Sequence, residues 1–211
     1  MEASEKEFNI IKEKLASTVD VLSFEVDIYY AFSLTFARLF IADTPNYKMN
    51  DGTIGATRSS WTYHTALALA QTSKMFNLHC KFESHGKRDA VIETADEEPE
   101  VLLFAEWEWD YEDIFGNGKE LEKLKNSCRE TRTAEAFLLV YCPSHKFADY
   151  ITRIAEFWIK GFRRTKNPPS LFVHTIIFEQ QKYVREFERL KTVVVNPTEV
   201  WVLNDIYFPN L

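Results

Sequence analysis

At Asn77 the spacing of apolar residues changes from helical to alternating, and this switch limits what the chain can fold into more than any other feature. Upstream, "WTYHTALALAQTSKMF" predicts a helix that opens at Ser59 or Ser60, with alanines small enough for close packing on a sheet. Downstream come "LHCKFES", a "HGK" turn, "RDAVIE", the acidic loop "TADEEPE" and "VLLFAEWEW". Three strand-length segments joined so closely predict an antiparallel meander. "GKELEKLKNSCRE" then predicts a polar helix, and "AFLLVYC" a strand buried on both faces. The next helix has one apolar stripe, from Phe147 through Tyr150, Ile151, Ile154 and Phe157 to Trp158, and places Gly161 where a capping glycine belongs. After the basic "KGFRRTKNPP", "SLFVHTIIFE" predicts another strand, and the remainder reads as a short helix over "QQKYVREFERLK" followed by one or two strands.

A meander followed by helical crossovers predicts a mixed α/β fold, a central mixed sheet with helices on both faces. Ahead of it, Ser4 and Glu7 fit a capping box, and Phe8, Ile11, Leu15 and Leu22 continue a helical pattern that extends to about Phe40. "ADTPNYKMNDGTIGATR" is rich in turn residues and reads as a loop. We therefore expect a single domain: an N-terminal helical extension and loop over 1–58, a core over 59–180, and a C-terminal helix and strands over 181–211.

Hydrophobic residues make up 45% of the chain and glycines number only 6, which describes an ordered globular protein rather than a disordered or fibrous one. The charged start "MEASEKEFNIIKEK" has no apolar signal region, and the longest uncharged stretches fall short of the roughly 18 apolar residues of a spanning helix. The expectation is a cytoplasmic protein with no membrane partner. Cys80, Cys128 and Cys142 are widely spaced and read as reduced core residues. A net charge of −7 argues against a protein that coats nucleic acid through bulk positive charge, though not against a local basic groove.

The end of the third strand raises the chemical question. Glu106 and Glu108 project to one side about 6–7 Å apart, while Ala105, Trp107 and Trp109 project to the other. Burying two like charges costs several kcal/mol unless something offsets them, and a hard divalent cation does so directly. Asp89 lies in the preceding strand, 17 residues before Glu106, a spacing that lets the two face each other in an antiparallel pair. Asp89, Glu106 and Glu108 would then converge. The opposing reading is an edge strand with a solvated acidic face and two buried tryptophans.

Asp89 in "KRDAVIE" followed by "EWE" at the end of the next strand, within a helix, three strands, helix, strand order, resembles the PD-(D/E)xK nuclease superfamily. The resemblance covers roughly 59–142 and implies a restriction-endonuclease-like core. It implies that Asp89, Glu106 and the backbone carbonyl of Trp107 hold Mg²⁺ or Mn²⁺, for hydrolysis of phosphodiester bonds in DNA. Glu108 stands where the family usually has lysine, so Glu108 itself, or Lys87 or Lys81 on neighbouring strands, would assist the attacking water. Position 88 is arginine where proline is usual. Family members often add an upstream acid, for which Glu25 and Asp27 are the candidates. Cutting both strands needs two active sites, so the resemblance also implies a homodimer. With lysine absent, the alternative is a catalytically inactive protein of this fold that acts as a binding or regulatory module.

Lys160, Arg163, Arg164 and Lys166 form a cluster that would contact nucleic-acid phosphates or, alternatively, complement a helix C-terminus. The histidines show no paired ligand spacing and no CxxC is present, which argues against zinc; His85, beside Asp89, is the one histidine of interest. Gly116 and Gly118 before Lys119 do not make a phosphate loop, because its first glycine would fall at Asp113.

Overall fold

The computed structural model describes residues 27–42, 58–84, 88–131, 134–181 and 184–208. The expected capping box, the loop over 43–57, Glu25, His85 and Lys87 lie outside the described residues. The chain divides into two units, Met1–Ala31 and Phe32–Leu211. Of the first, only the opening turn of α1 (Ile28–Ala42) is described. There the exposed Asp27 accepts a hydrogen bond from the Tyr29 N–H at 2.9 Å, so it caps the helix it precedes.

The second unit contains α2 (Arg58–Met75), β1 (Leu78–Ser84), β2 (Arg88–Thr94), β3 (Val101–Glu108), α3 (Glu120–Thr131), β4 (Glu135–Pro143), α4 (Phe147–Phe162), β5 (Leu171–Gln181), β6 (Val184–Asn196) and β7 (Glu199–Tyr207). Asn77, at φ 55°, takes the left-handed conformation that ends α2 and releases the chain into β1. The seven strands form one sheet in sequence order. β1, β2 and β3 are the expected antiparallel meander, β3, β4 and β5 run parallel, and β5, β6 and β7 are antiparallel. Parallel neighbours require long crossovers, and α3 and α4 supply them.

β4 is buried throughout from Ala136 to Pro143, so both faces of the sheet must be covered. Leu138, Val140 and Cys142 join a core with Leu121 and Leu124 of α3 and Ile154 and Trp158 of α4. The Trp158 indole N–H also donates to the Pro169 carbonyl at 2.9 Å, which fixes the chain ahead of β5. On the opposite face Phe36 of α1 meets Phe137 edge-on at 4.7 Å, and Trp61 of α2 meets Tyr141 at 5.6 Å. His174 is enclosed in this aromatic layer, stacked on Phe137, with its two ring nitrogens bonded to Ser33 and Thr192. Burial pushes its pKa down to about 3, so it is a neutral core residue.

Two expectations are corrected. The segment read as a short helix, over 180–191, is strand wherever it is described: Gln180 and Gln181 end β5, and from Val184 onward β6 pairs with β5 on one side and β7 on the other. Its charges, which suggested a solvated helix face, find cross-strand partners instead, Arg189 and Lys191 lying 3.2 and 3.1 Å from Asp205. Gly161 is no cap, since α4 continues through Phe162 and ends at a right-handed Arg163. A Cβ at position 161 would lie 3.1 Å from Lys125 Cδ, so glycine serves the close crossing of α4 over α3. Of the three cysteines, Cys128 and Cys142 are buried and Cys80 is half-buried on β1; all are free. Among the described residues, no helix is long and apolar enough to cross a membrane.

Trp158→Ala would empty a fully buried site and free the Pro169 carbonyl. The expected loss is about 3–5 kcal/mol, read as a lower urea midpoint at unchanged slope.

Candidate active site

The register of β2 on β3 pairs Ala90 with Ala105 and Val91 with Phe104, so its continuation sets Asp89 opposite Glu106. Their side chains lie on the sheet face that α3 covers. Asp89 Oδ2 accepts a hydrogen bond from the Trp107 N–H at 2.8 Å, which takes the place of the next ladder bond between the strands. In an antiparallel ladder a residue's N–H and C=O face the same neighbour, so the Trp107 carbonyl faces the same gap.

Glu106 is fully buried, although it carries a carboxyl group. Two cations stand near it: Lys123 Nζ at 3.6 Å from Oε2 and Arg88 Nη1 at 3.9 Å from Oε1. Both distances exceed hydrogen-bond range, and neither Glu106 oxygen has a hydrogen-bond partner. Burial first, and then the Asp89 carboxylate, push the Glu106 pKa up to about 8 against the pull of Lys123 and Arg88. Asp89 is also raised, chiefly by burial, while the Trp107 N–H and Lys123 draw it down. Each carboxyl acts on the other, so the two titrate as a coupled pair.

α3 brings the remaining groups. Leu121, Leu124 and Cys128 turn its apolar stripe to the sheet, and this rotation sets Glu120 and Lys123 at the edge of the stripe, over the acids. Lys123 Nζ lies 3.3 Å from Glu120 Oε1, an i,i+3 pair that steadies the ammonium. Arg88 donates from Nε to Ser127 Oγ at 2.5 Å, and Ser127 in turn donates to the Lys123 carbonyl at 3.1 Å. The cluster therefore comprises three acids, Asp89, Glu106 and Glu120, and two bases, Arg88 and Lys123.

The other expected residues lie elsewhere. Glu108 turns back on its own chain, with Oε1 accepting from the N–H groups of Trp109 and Asp110 at 2.6 and 3.0 Å, and so closes the turn that leaves β3. Lys81 pairs with the buried Glu93. Lys160, Arg163, Arg164 and Lys166 are exposed around the end of α4, where Arg129, six residues and about 9 Å beyond Lys123 along α3, donates to the Gly161 carbonyl. Among the described residues no group of three or more His, Cys, Asp or Glu is placed to hold a metal ion. Sequence reasoning missed Lys123, Glu120 and the inward role of Arg88. Their one signal was the phase of "KELEKLK", in which the leucines fix the face on which Glu120 and Lys123 must sit.

Unfolded, Glu106 loses its proton near the ordinary value of 4.5; folded, it holds the proton to about 8. Between those values the native state binds more protons, so stability falls as pH rises. His174 acts in the opposite direction, and only below about 6.5, where its unfolded form gains a proton. From pH 6.5 to 8 the native protein is expected to lose about 2 kcal/mol in urea melts, and Glu106→Gln to remove most of that slope. A native stability that stays level across this window would contradict the assignment.

Comparison of the chain with protein-family models, curated proteins and solved structures found no match.

Proposed function

We propose that this chain is a divalent-metal-dependent nuclease that hydrolyses phosphodiester bonds of DNA on a restriction-endonuclease-like core. One observation carries the reading: Glu106 is fully buried beside Asp89 with no hydrogen bond to either oxygen, and an ammonium stands 3.6 Å away. Leaving a carboxyl so exposed to repulsion is costly, and it is retained where it has work to do. The order of helix, antiparallel meander, helix and parallel strand supports the same reading.

Asp89, Glu106 and the Trp107 carbonyl would hold Mg²⁺ or Mn²⁺, whose hard, oxygen-seeking character suits two carboxyls and a carbonyl. When bound, the cation would polarise a phosphoryl oxygen and acidify a water. Lys123 supplies, from α3, the ammonium that the resemblance places two residues after Glu106. Its Nζ holds a proton next to the acids and offers positive charge to a phosphate entering the site. Glu120 orients Lys123, Arg88 offsets the second Glu106 oxygen, and Glu108 fixes the backbone just beyond Trp107.

A second reading, a catalytically inactive binding or regulatory module of the same fold, draws on a different observation. The Glu108 carboxylate, in the usual lysine position, is occupied by the turn, and Arg88 and Lys123 already offset part of the Glu106 charge.

Linear duplex and single-stranded DNA incubated with Mg²⁺ or Mn²⁺ separates the two. The native chain is expected to cleave, Asp89→Asn to lose at least about 100-fold, and Lys123→Met to lose about 10²–10⁴-fold with its fold intact. No cleavage of either substrate by the native chain would favour the inactive module.

A further inference from the structure

Ser127 is buried on α3, one turn after Lys123, and its hydroxyl has two partners. It donates to the Lys123 carbonyl at 3.1 Å, the backward bond that a serine makes to the residue four before it in a helix. With its one proton used there, the oxygen is left only as an acceptor, and Arg88 Nε donates to it at 2.5 Å. The bond crosses from α3 to the first residue of β2.

A guanidinium is planar and rigid, so a bond at Nε fixes where its other nitrogens stand. Here it sets Nη1 3.9 Å from Glu106 Oε1, about 1 Å beyond hydrogen-bond length. The Arg88 side chain is mostly buried, at 12% exposure, and among the described residues Ser127 is the one hydrogen-bond acceptor it reaches. Glu106 Oε1 has no hydrogen-bond partner. A buried arginine and a buried carboxyl therefore lie a small side-chain rotation apart, and the bond to Ser127 is the interaction that opposes their closure.

The effect of closure follows from charge. A cation held by Asp89, Glu106 and the Trp107 carbonyl needs lone pairs of Glu106 that no other positive group has taken. An arginine hydrogen-bonded to Oε1 would take some of them and bring its charge closer to the entering ion. Lys123 stands differently, facing Oε2 with its ammonium shared with Glu120. We propose that Ser127 is a positioning residue: it holds Arg88 back from Glu106, so that the carboxyl stays open to a divalent cation. The proposal rests on the metal-dependent reading of the site for the identity of that ion.

The test starts from Ser127→Ala, which removes one oxygen and keeps a strong helix former in α3, so the variant is expected to fold. A metal-free crystal structure of this variant should show an Arg88 nitrogen within about 3 Å of Glu106. Mn²⁺ is then titrated into the full chain at pH 8.5, above the Glu106 pKa, so that competition from its proton is minor. Ser127→Ala should bind the ion at least about tenfold more weakly than the native chain. Adding Arg88→Met to that variant should recover most of the affinity. Rescue separates positioning from support, because removing a second side chain would not restore a loosened α3. An Arg88 that stays near its 3.9 Å from Glu106, an affinity equal to the native one, or a loss that Arg88→Met does not recover would each overturn the proposal. No Mn²⁺ binding by the native chain would overturn it together with the metal-dependent reading. Mn²⁺ binding that follows the expected pattern in a chain that leaves DNA uncut would support the proposal and count against the nuclease reading alone.

Discussion

A strand at the centre of a sheet that is apolar on both sides has to be roofed on both, and β4, buried from Ala136 to Pro143, imposes that requirement here. It explains why α3 lies where it does. The chain must return from the end of β3 to begin a parallel β4, and the shortest path that also covers the sheet is a helix whose leucines face Leu138 and Val140. Once Leu121 and Leu124 are seated, Glu120 and Lys123 have only one place to go, and that place is above Glu106. The position of the charged cluster is thus a by-product of how the core closes.

The same constraint accounts for the electrostatics. Covering the sheet excludes water from Glu106, and that exclusion is the largest cause of its raised pKa. Arg88 and Lys123 counter the effect only in part, because each stays beyond hydrogen-bonding distance. Arg88 is directed elsewhere, to Ser127, and Lys123 is shared with Glu120. Here the cations are held back by their own tethers, and the carboxyl remains under-satisfied.

Much of this was legible in the residues. The alternation after Asn77 gave the meander and its boundaries, and the Asp89 to Glu106 spacing led to the pairing that the register continues. What the sequence withheld depends on distance in three dimensions. Nothing local marks Lys123 as different from Lys119 or Lys125; only the helix phase against the sheet selects it. Glu108 was read as a partner of Glu106 because strand parity puts them on one side, but the strand ends at Glu108 and the side chain is drawn into the turn beyond. The strand β6 was hidden for a similar reason, since "VREFERLK" mixes charge and apolar residues in a way that suits a helix surface until β5 and β7 supply partners on either side.

The glycine at position 161 has a mechanical consequence. Because α4 passes α3 with no side chain between Gly161 and the Lys125 stem, sliding α3 sideways over the sheet towards α4 would drive the two helices together. The helix that presents Glu120 and Lys123 is therefore braced along one side, and core packing sets where these charges stand. The entropy of arranging those charges is spent when the chain folds.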